Sequence, residues 1–125
     1  MVDHDRKILL IDDSDTTRSL IASIIAQLGD VHIVEARSGF EALKSLPASN
    51  FDLVVTDINM PDITGLEVIS FLKSHPHYKA IPIIIISTEK TSKDRRKGLM
   101  LGATEYITKP FDAKSLLKTV KKILA

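Results

Sequence analysis

Five short runs rich in apolar residues recur along this chain, and each is followed by a stretch of helical periodicity. They are Lys7–Ile11, Val31–Ala36, Phe51–Asp57, Ile81–Ser87 and Glu105–Thr108. The first, third and fourth are almost continuously apolar, which suits strands covered on both faces, as in a parallel sheet. Strand-helix alternation of this kind predicts an α/β fold with right-handed crossovers and helices on both sides of the sheet. At 125 residues the chain is sized for one domain with a real core, spanning 1–125.

The helical segments carry their own start and stop signals. Leu20, Ile21, Ile24, Ile25 and Leu28 share one face before Gly29, with Ser14 or Asp13 as the cap. Ser38 and Glu41 form a capping-box pattern and open a helix expected to turn Phe40, Leu43 and Leu46 inward before Pro47. Thr64 and Glu67 repeat the pattern ahead of Leu66, Val68, Ile69 and Leu72, and His75-Pro76-His77 closes that helix. A polar fourth helix, capped by Thr91 or Ser92, carries Lys93 to Lys97 and stops at Gly102. Asp112 caps a fifth, with Leu116, Leu117, Val120, Ile123 and Leu124 on one face and Lys114, Lys118, Lys121 and Lys122 elsewhere. The total is five strands and five helices, (βα)5.

Several classes of function are excluded early. Net charge is +1, so there is no bulk electrostatic case for nucleic acid or a membrane surface. The chain has no cysteine, which rules out disulfides, thiolate metal sites and a Cys nucleophile and fits a reducing, cytoplasmic setting. The opening MVDHDRK lacks the apolar core of a signal peptide, and the run Ile83 to Ile86 is far too short to span a bilayer.

Ligands of doubly wound sheets bind at the carboxyl ends of the strands. Those ends hold Asp12 and Asp13, then Asp57, then Ser87 and Thr88, then Thr108 and Lys109, with Glu35 on the second strand. If the first strand lies beside the third, the acids, a hydroxyl and an ammonium converge. Carboxylates so close repel one another unless a cation intervenes. Oxygen ligands without His or Cys suit Mg²⁺. A hydroxyl and an ammonium beside the metal suit a phosphoryl group, with Asp57 as the nucleophile that forms an aspartyl phosphate. Taken singly, each residue has a plainer reading: the acids as helix caps, Ser87 as a strand-end hydroxyl, Lys109 as a solvated lysine, Tyr106 as a packing residue.

Asp12-Asp13, Asp57 followed by Met60-Pro61 and Gly65, Ser87, and Lys109-Pro110, in that order and at those separations, resemble the response-regulator receiver domain of two-component signalling, of the chemotaxis kind. The resemblance covers essentially the whole chain. It implies a flavodoxin-like doubly wound parallel sheet of strand order 2-1-3-4-5. It implies that Asp57 takes a phosphoryl group from a sensor histidine kinase or a histidine phosphotransferase. Mg²⁺ would be held by Asp57, by Asp12 or more directly Asp13, and by the carbonyl of Asn59. Ser87 and Lys109 would contact the phosphoryl group, Lys109-Pro110 would be cis, and Tyr106 would turn inward as Ser87 is drawn toward the phosphate. Asn59 and Glu89 stand at positions that tune hydrolysis. Thr88 stands where the family often has Ala or Gly, so its bulk is expected to narrow access to Asp57 or restrict Tyr106.

The implied output is a surface, formed by the fourth helix, fifth strand and fifth helix, that binds a target protein when the chain is phosphorylated. The chain would act as a monomer and a phosphoacceptor, not an enzyme turning over substrates. A phosphorelay intermediate is a second reading. A Mg²⁺ phosphatase is a third, weakened because such enzymes carry a second acid two residues after the nucleophile, where this chain has Asn59. A phosphate-independent interaction module is a fourth, and the intact acidic set speaks against it.

Overall fold

A computed structural model describes residues 5–88 and 91–125. The elements run β1 (Arg6–Ile11), α1 (Asp15–Ala26), β2 (Val31–Ala36), α2 (Gly39–Ser45), β3 (Leu53–Thr56), α3 (Gly65–Ser74), β4 (Ile83–Ser87), α4 (Ser92–Leu101), β5 (Glu105–Thr108) and α5 (Ala113–Leu124). A 3-10 turn, Leu46–Ala48, follows α2 and carries the helical path through Pro47, past the expected stop. All strand pairs are parallel, and the sheet order is β2-β1-β3-β4-β5. The expected doubly wound, flavodoxin-like fold is therefore the observed one. β3 and β4 are shorter at their ends than the apolar runs. Pro82, just before β4, has no N–H to pair, though its carbonyl still accepts from Val54 N–H at 3.0 Å.

The sheet divides the core in two. Leu9, Ile11, Val54, Ile83 and Ile85 face one side, where α2, the 3-10 turn after it and α3 supply Ala42, Leu46, Val68, Ile69 and Leu72. Ile8, Leu10, Leu53, Val55, Ile84 and Ile86 face the other, against Ile21, Ile24 and Ile25 of α1 and Leu116 and Val120 of α5. Successive strand residues point to opposite faces, so continuous apolar runs are what a sheet covered on both sides requires.

The capping signals resolve in detail. Ser14 caps α1, Thr91 caps α4 and Asp112 caps α5. Thr64 and Glu67 complete a reciprocal capping box. At α2 the box is open: Ser38 accepts from Glu41 N–H, but the Glu41 carboxylate takes the Arg37 N–H instead. Gly102 ends α4 in the left-handed region at φ 119°.

Two apolar residues expected inside lie outside. Leu20 is 52% exposed and Phe40 is 60% exposed. On α1 the buried stripe runs Arg18, Ile21, Ile24 and Ile25, which leaves Leu20 a quarter-turn away. On α2 the buried positions are Gly39 and Ala42, so Phe40 turns outward beneath the Lys44 ammonium, 5.7 Å from its ring centre.

Gly65 is required by close approach. A Cβ there would meet the Asp57 carbonyl oxygen and lie 2.9 Å from Ile58 Cα. Both are backbone atoms that cannot step aside. Gly65→Ala should cost about 3 kcal/mol or more, in the range of severe core defects, and a urea unfolding midpoint near wild type would contradict this.

Candidate functional site

The sheet register builds the site. Ile11 pairs with Thr56, so the residues that follow them, Asp12 and Asp57, leave the sheet side by side. Asp57 N–H donates to the Ile11 carbonyl at 3.0 Å and Asp12 N–H to the Ala36 carbonyl at 3.1 Å, which extends the ladders to the rim. Both acids are buried, whereas Asp13 is exposed. One carboxylate oxygen from each of Asp12, Asp13 and Asp57 lies within 4.8 Å of the others.

Lys109 reaches this cluster from beyond β5. Its Nζ donates to Asp12 Oδ2 at 3.0 Å and to Asp57 Oδ2 at 3.3 Å. Its backbone N–H donates to the Ser87 carbonyl at 2.8 Å, and the peptide that follows, Lys109-Pro110, is cis as expected. Ser87 is buried at the end of β4, in register with Thr108. Asn59 is exposed on the loop after β3, two residues beyond Asp57. Thr88 is exposed. Glu89 lies outside the described residues.

Tyr106 stands apart from the acids. It is buried on β5, in register with Ile85, and the Arg95 guanidinium of α4 sits 5.4 Å from its ring centre. A Cβ on Gly98 would press against the ring and against Ile85. The aromatic ring is thus already inside, in room that a glycine leaves.

The electrostatics follow from burial and company. Burial pushes the Asp57 carboxyl above the usual carboxylate range, and the charge of Asp12 adds to this. Lys109 and the Ile58 N–H, which donates to Asp57 Oδ1 at 2.7 Å, pull it back only in part. Burial opposes the charge of Lys109, but the hydrogen bond to Asp12 and the two carboxylates outweigh it and hold the ammonium above the ordinary lysine range. One lysine thus leaves part of the acidic charge unbalanced. Carboxylates alone, without His or Cys, form a hard-oxygen donor set that fits Mg²⁺.

Two residues that the sequence reading passed over hold the rim. Arg18 is buried on α1 and bonds Asp15, Glu35 and the Asp12 carbonyl. Asp62 accepts the Gly39 and Phe40 N–H groups at 3.3 and 2.9 Å and ties the loop after β3 to the start of α2. An arginine on the buried stripe of α1 was the available signal for the first. The second joins residues more than twenty positions apart and needs the fold to be seen.

The family model described as the response regulator receiver domain matches residues 8–121. This chain belongs to the response regulator receiver domain family. Receivers of this type are signalling domains. The chain is 35% identical over 119 residues to the chemotaxis protein CheY1 of Helicobacter pylori, covering 94% of this chain and 96% of that one. Its fold superposes on the chemotaxis response regulator CheY4 of Vibrio cholerae with a TM-score of 0.87 at 33% identity, covering 95% and 98%. A phosphorylated cyanobacterial phytochrome response regulator, RcpA, gives a TM-score of 0.83 at 32% identity, covering 97% and 91%. Among the described residues no helix is long and apolar enough to cross a membrane.

The raised Asp57 carboxyl has a consequence for stability. Between the ordinary carboxylate range and the raised folded value, the folded protein binds more protons than the unfolded chain, so stability falls as pH rises through that window. Asp57→Asn removes the buried charge. In metal-free buffer it should raise Tm at pH 7 by a few degrees, with the gain shrinking as pH drops into the acid range. A gain that grew toward low pH would have the wrong sign.

Proposed function

We propose that this receiver is a Mg²⁺-dependent phosphoacceptor whose acceptor is Asp57. The supporting observation is the convergence of Asp12, Asp13 and Asp57 with Lys109 bonded to two of them. The donor is a phosphohistidine on a sensor histidine kinase or a histidine phosphotransferase. A carboxylate oxygen of Asp57 attacks phosphorus, the phosphorus–nitrogen bond to the donor imidazole breaks, and the imidazole leaves to take up a proton. The product is an aspartyl phosphate on this chain.

Asp13, Asp12 and Asp57, with the Asn59 carbonyl, are the groups that would hold Mg²⁺. The ion supplies charge neutralisation for the phosphoryl oxygens. Lys109, bonded to Asp12 and Asp57, gives a second positive charge, and the Ser87 hydroxyl at the end of β4 would donate to a phosphoryl oxygen. Burial keeps Asp57 poorly solvated, which suits a nucleophile once the neighbouring charge is balanced.

Phosphorylation adds about one negative charge at neutral pH and new acceptor oxygens beside Ser87 and Lys109. Ser87 and Tyr106 then report the event to the surface of α4, β5 and α5, where a target protein binds. A switch from mostly inactive to mostly active needs about 5 kcal/mol of differential stabilisation, within reach of several charge-assisted hydrogen bonds. The chain acts as a cytoplasmic monomer, with no nucleic-acid or membrane partner.

Asp57→Asn should abolish labelling by acetyl phosphate or a cognate kinase while the circular dichroism spectrum is retained. Chelation of divalent metal should stop transfer to the wild type. Undiminished labelling of the Asn variant would sink the assignment.

A further inference from the structure

Arg18 is a buried cation with no part in the proposed chemistry, only 8% exposed. Each of its three guanidinium nitrogens donates a hydrogen bond. Nε donates to Glu35 Oε1 at 2.8 Å, Nη2 to Asp15 Oδ1 at 2.6 Å, and Nη1 to the backbone carbonyl of Asp12 at 2.8 Å. Burying a guanidinium is costly unless it is paired and bonded, and here three elements supply its partners: α1, the end of β2 and the end of β1.

The bond to Asp12 is the unusual one. An arginine near a carboxylate normally forks onto it. Arg18 instead takes the carbonyl, and the Asp12 carboxylate is left to Ser14 N–H at Oδ1 and Lys109 at Oδ2. With its N–H on Ala36, Asp12 is held at backbone N–H, backbone C=O and both carboxylate oxygens. A fixed Asp12 carbonyl fixes the plane of the peptide joining Asp12 to Asp13. The direction in which Asp13 leaves the chain is then set by Arg18.

Asp15 and Glu35 already supply carboxylates for the guanidinium, so its third bond, to a neutral carbonyl at the rim, calls for a geometric reason. We infer that Arg18 is a positioning residue which, by clamping the Asp12 carbonyl, aims the Asp13 carboxylate at a divalent cation bound by the acidic rim. The inference rests on the phosphoacceptor reading only in taking that rim to bind Mg²⁺. Asp15 and Glu35 hold the guanidinium in place and offset its charge.

The test is a Mg²⁺ titration of the full chain, followed by backbone amide chemical shifts, on wild type, Arg18→Met and Arg18→Lys, without a phosphoryl donor. Arg18→Met should bind Mg²⁺ about tenfold more weakly, the scale of loss seen when groups that orient metal ligands are removed. Arg18→Lys keeps the charge but not the three-pronged fork, so it should also bind more weakly, by a smaller factor. It decides the question should the Met variant fail to fold. A purely electrostatic role predicts tighter binding by Arg18→Met and no change in Arg18→Lys. A purely structural role predicts a lowered Tm with unchanged Mg²⁺ affinity. Either pattern overturns the inference while leaving the acidic rim intact as a metal site. A wild type that binds no Mg²⁺ overturns the metal reading and this inference with it.

Discussion

The ammonium of Lys109 lies between two buried carboxylates, and the carboxyl rim of the sheet depends on that placement. Asp12 and Asp57 emerge side by side because β1 and β3 are parallel neighbours in matched register. Nothing in the sheet relieves their repulsion. Lys109 does so from the far side of β4, with its backbone anchored on Ser87 while its side chain spans to the acids. Three strands are thereby tied at one rim by polar contacts, in addition to the ladder hydrogen bonds. A buried ion pair of this kind is weak as a source of stability, because desolvation offsets most of its Coulombic gain. Its value is positional. It leaves Asp57 partly desolvated and incompletely neutralised, a state that a divalent cation would complete.

Much of this was legible in the chain, for identifiable reasons. Strands buried on both faces leave continuous apolar runs, and Ile8 to Ile11, Leu53 to Val55 and Ile83 to Ile86 are such runs. Caps are local, so Ser14, Thr64, Thr91 and Asp112 could be read within a few residues of where they act. The acids were noticed because a charge at the end of a buried strand needs a partner. The strand order was different. Alternation implies parallel pairing but not which strand lies beside which, and the order came from the family resemblance carried by Asp57, Ser87 and Lys109 in sequence.

What escaped the reading was tertiary or a matter of helix phase. Leu20 and Phe40 share the apolar character of their helix neighbours, but each lies off the buried stripe. A seven-residue helix such as α2 offers too few positions to fix a face by periodicity. Arg18 drew no reading, since its partners Glu35 and the Asp12 carbonyl meet it only once β1 and β2 are paired. Asp62 is similar, joining the loop after β3 to the start of α2, whose proximity depends on the order of the sheet.

The two-sided core changes what it means for residues to be neighbours. Ile84 and Ile85 share a peptide bond, yet one packs with α1 and α5 and the other with α2, α3 and Tyr106. Compensation for a lost methyl group at either must come from residues two apart on the same strand, or from across the sheet on the same side. Adjacent letters of β4 are mechanically strangers. The packing on the α2 and α3 side and the packing on the α1 and α5 side are therefore two separate cores that share one wall, the sheet.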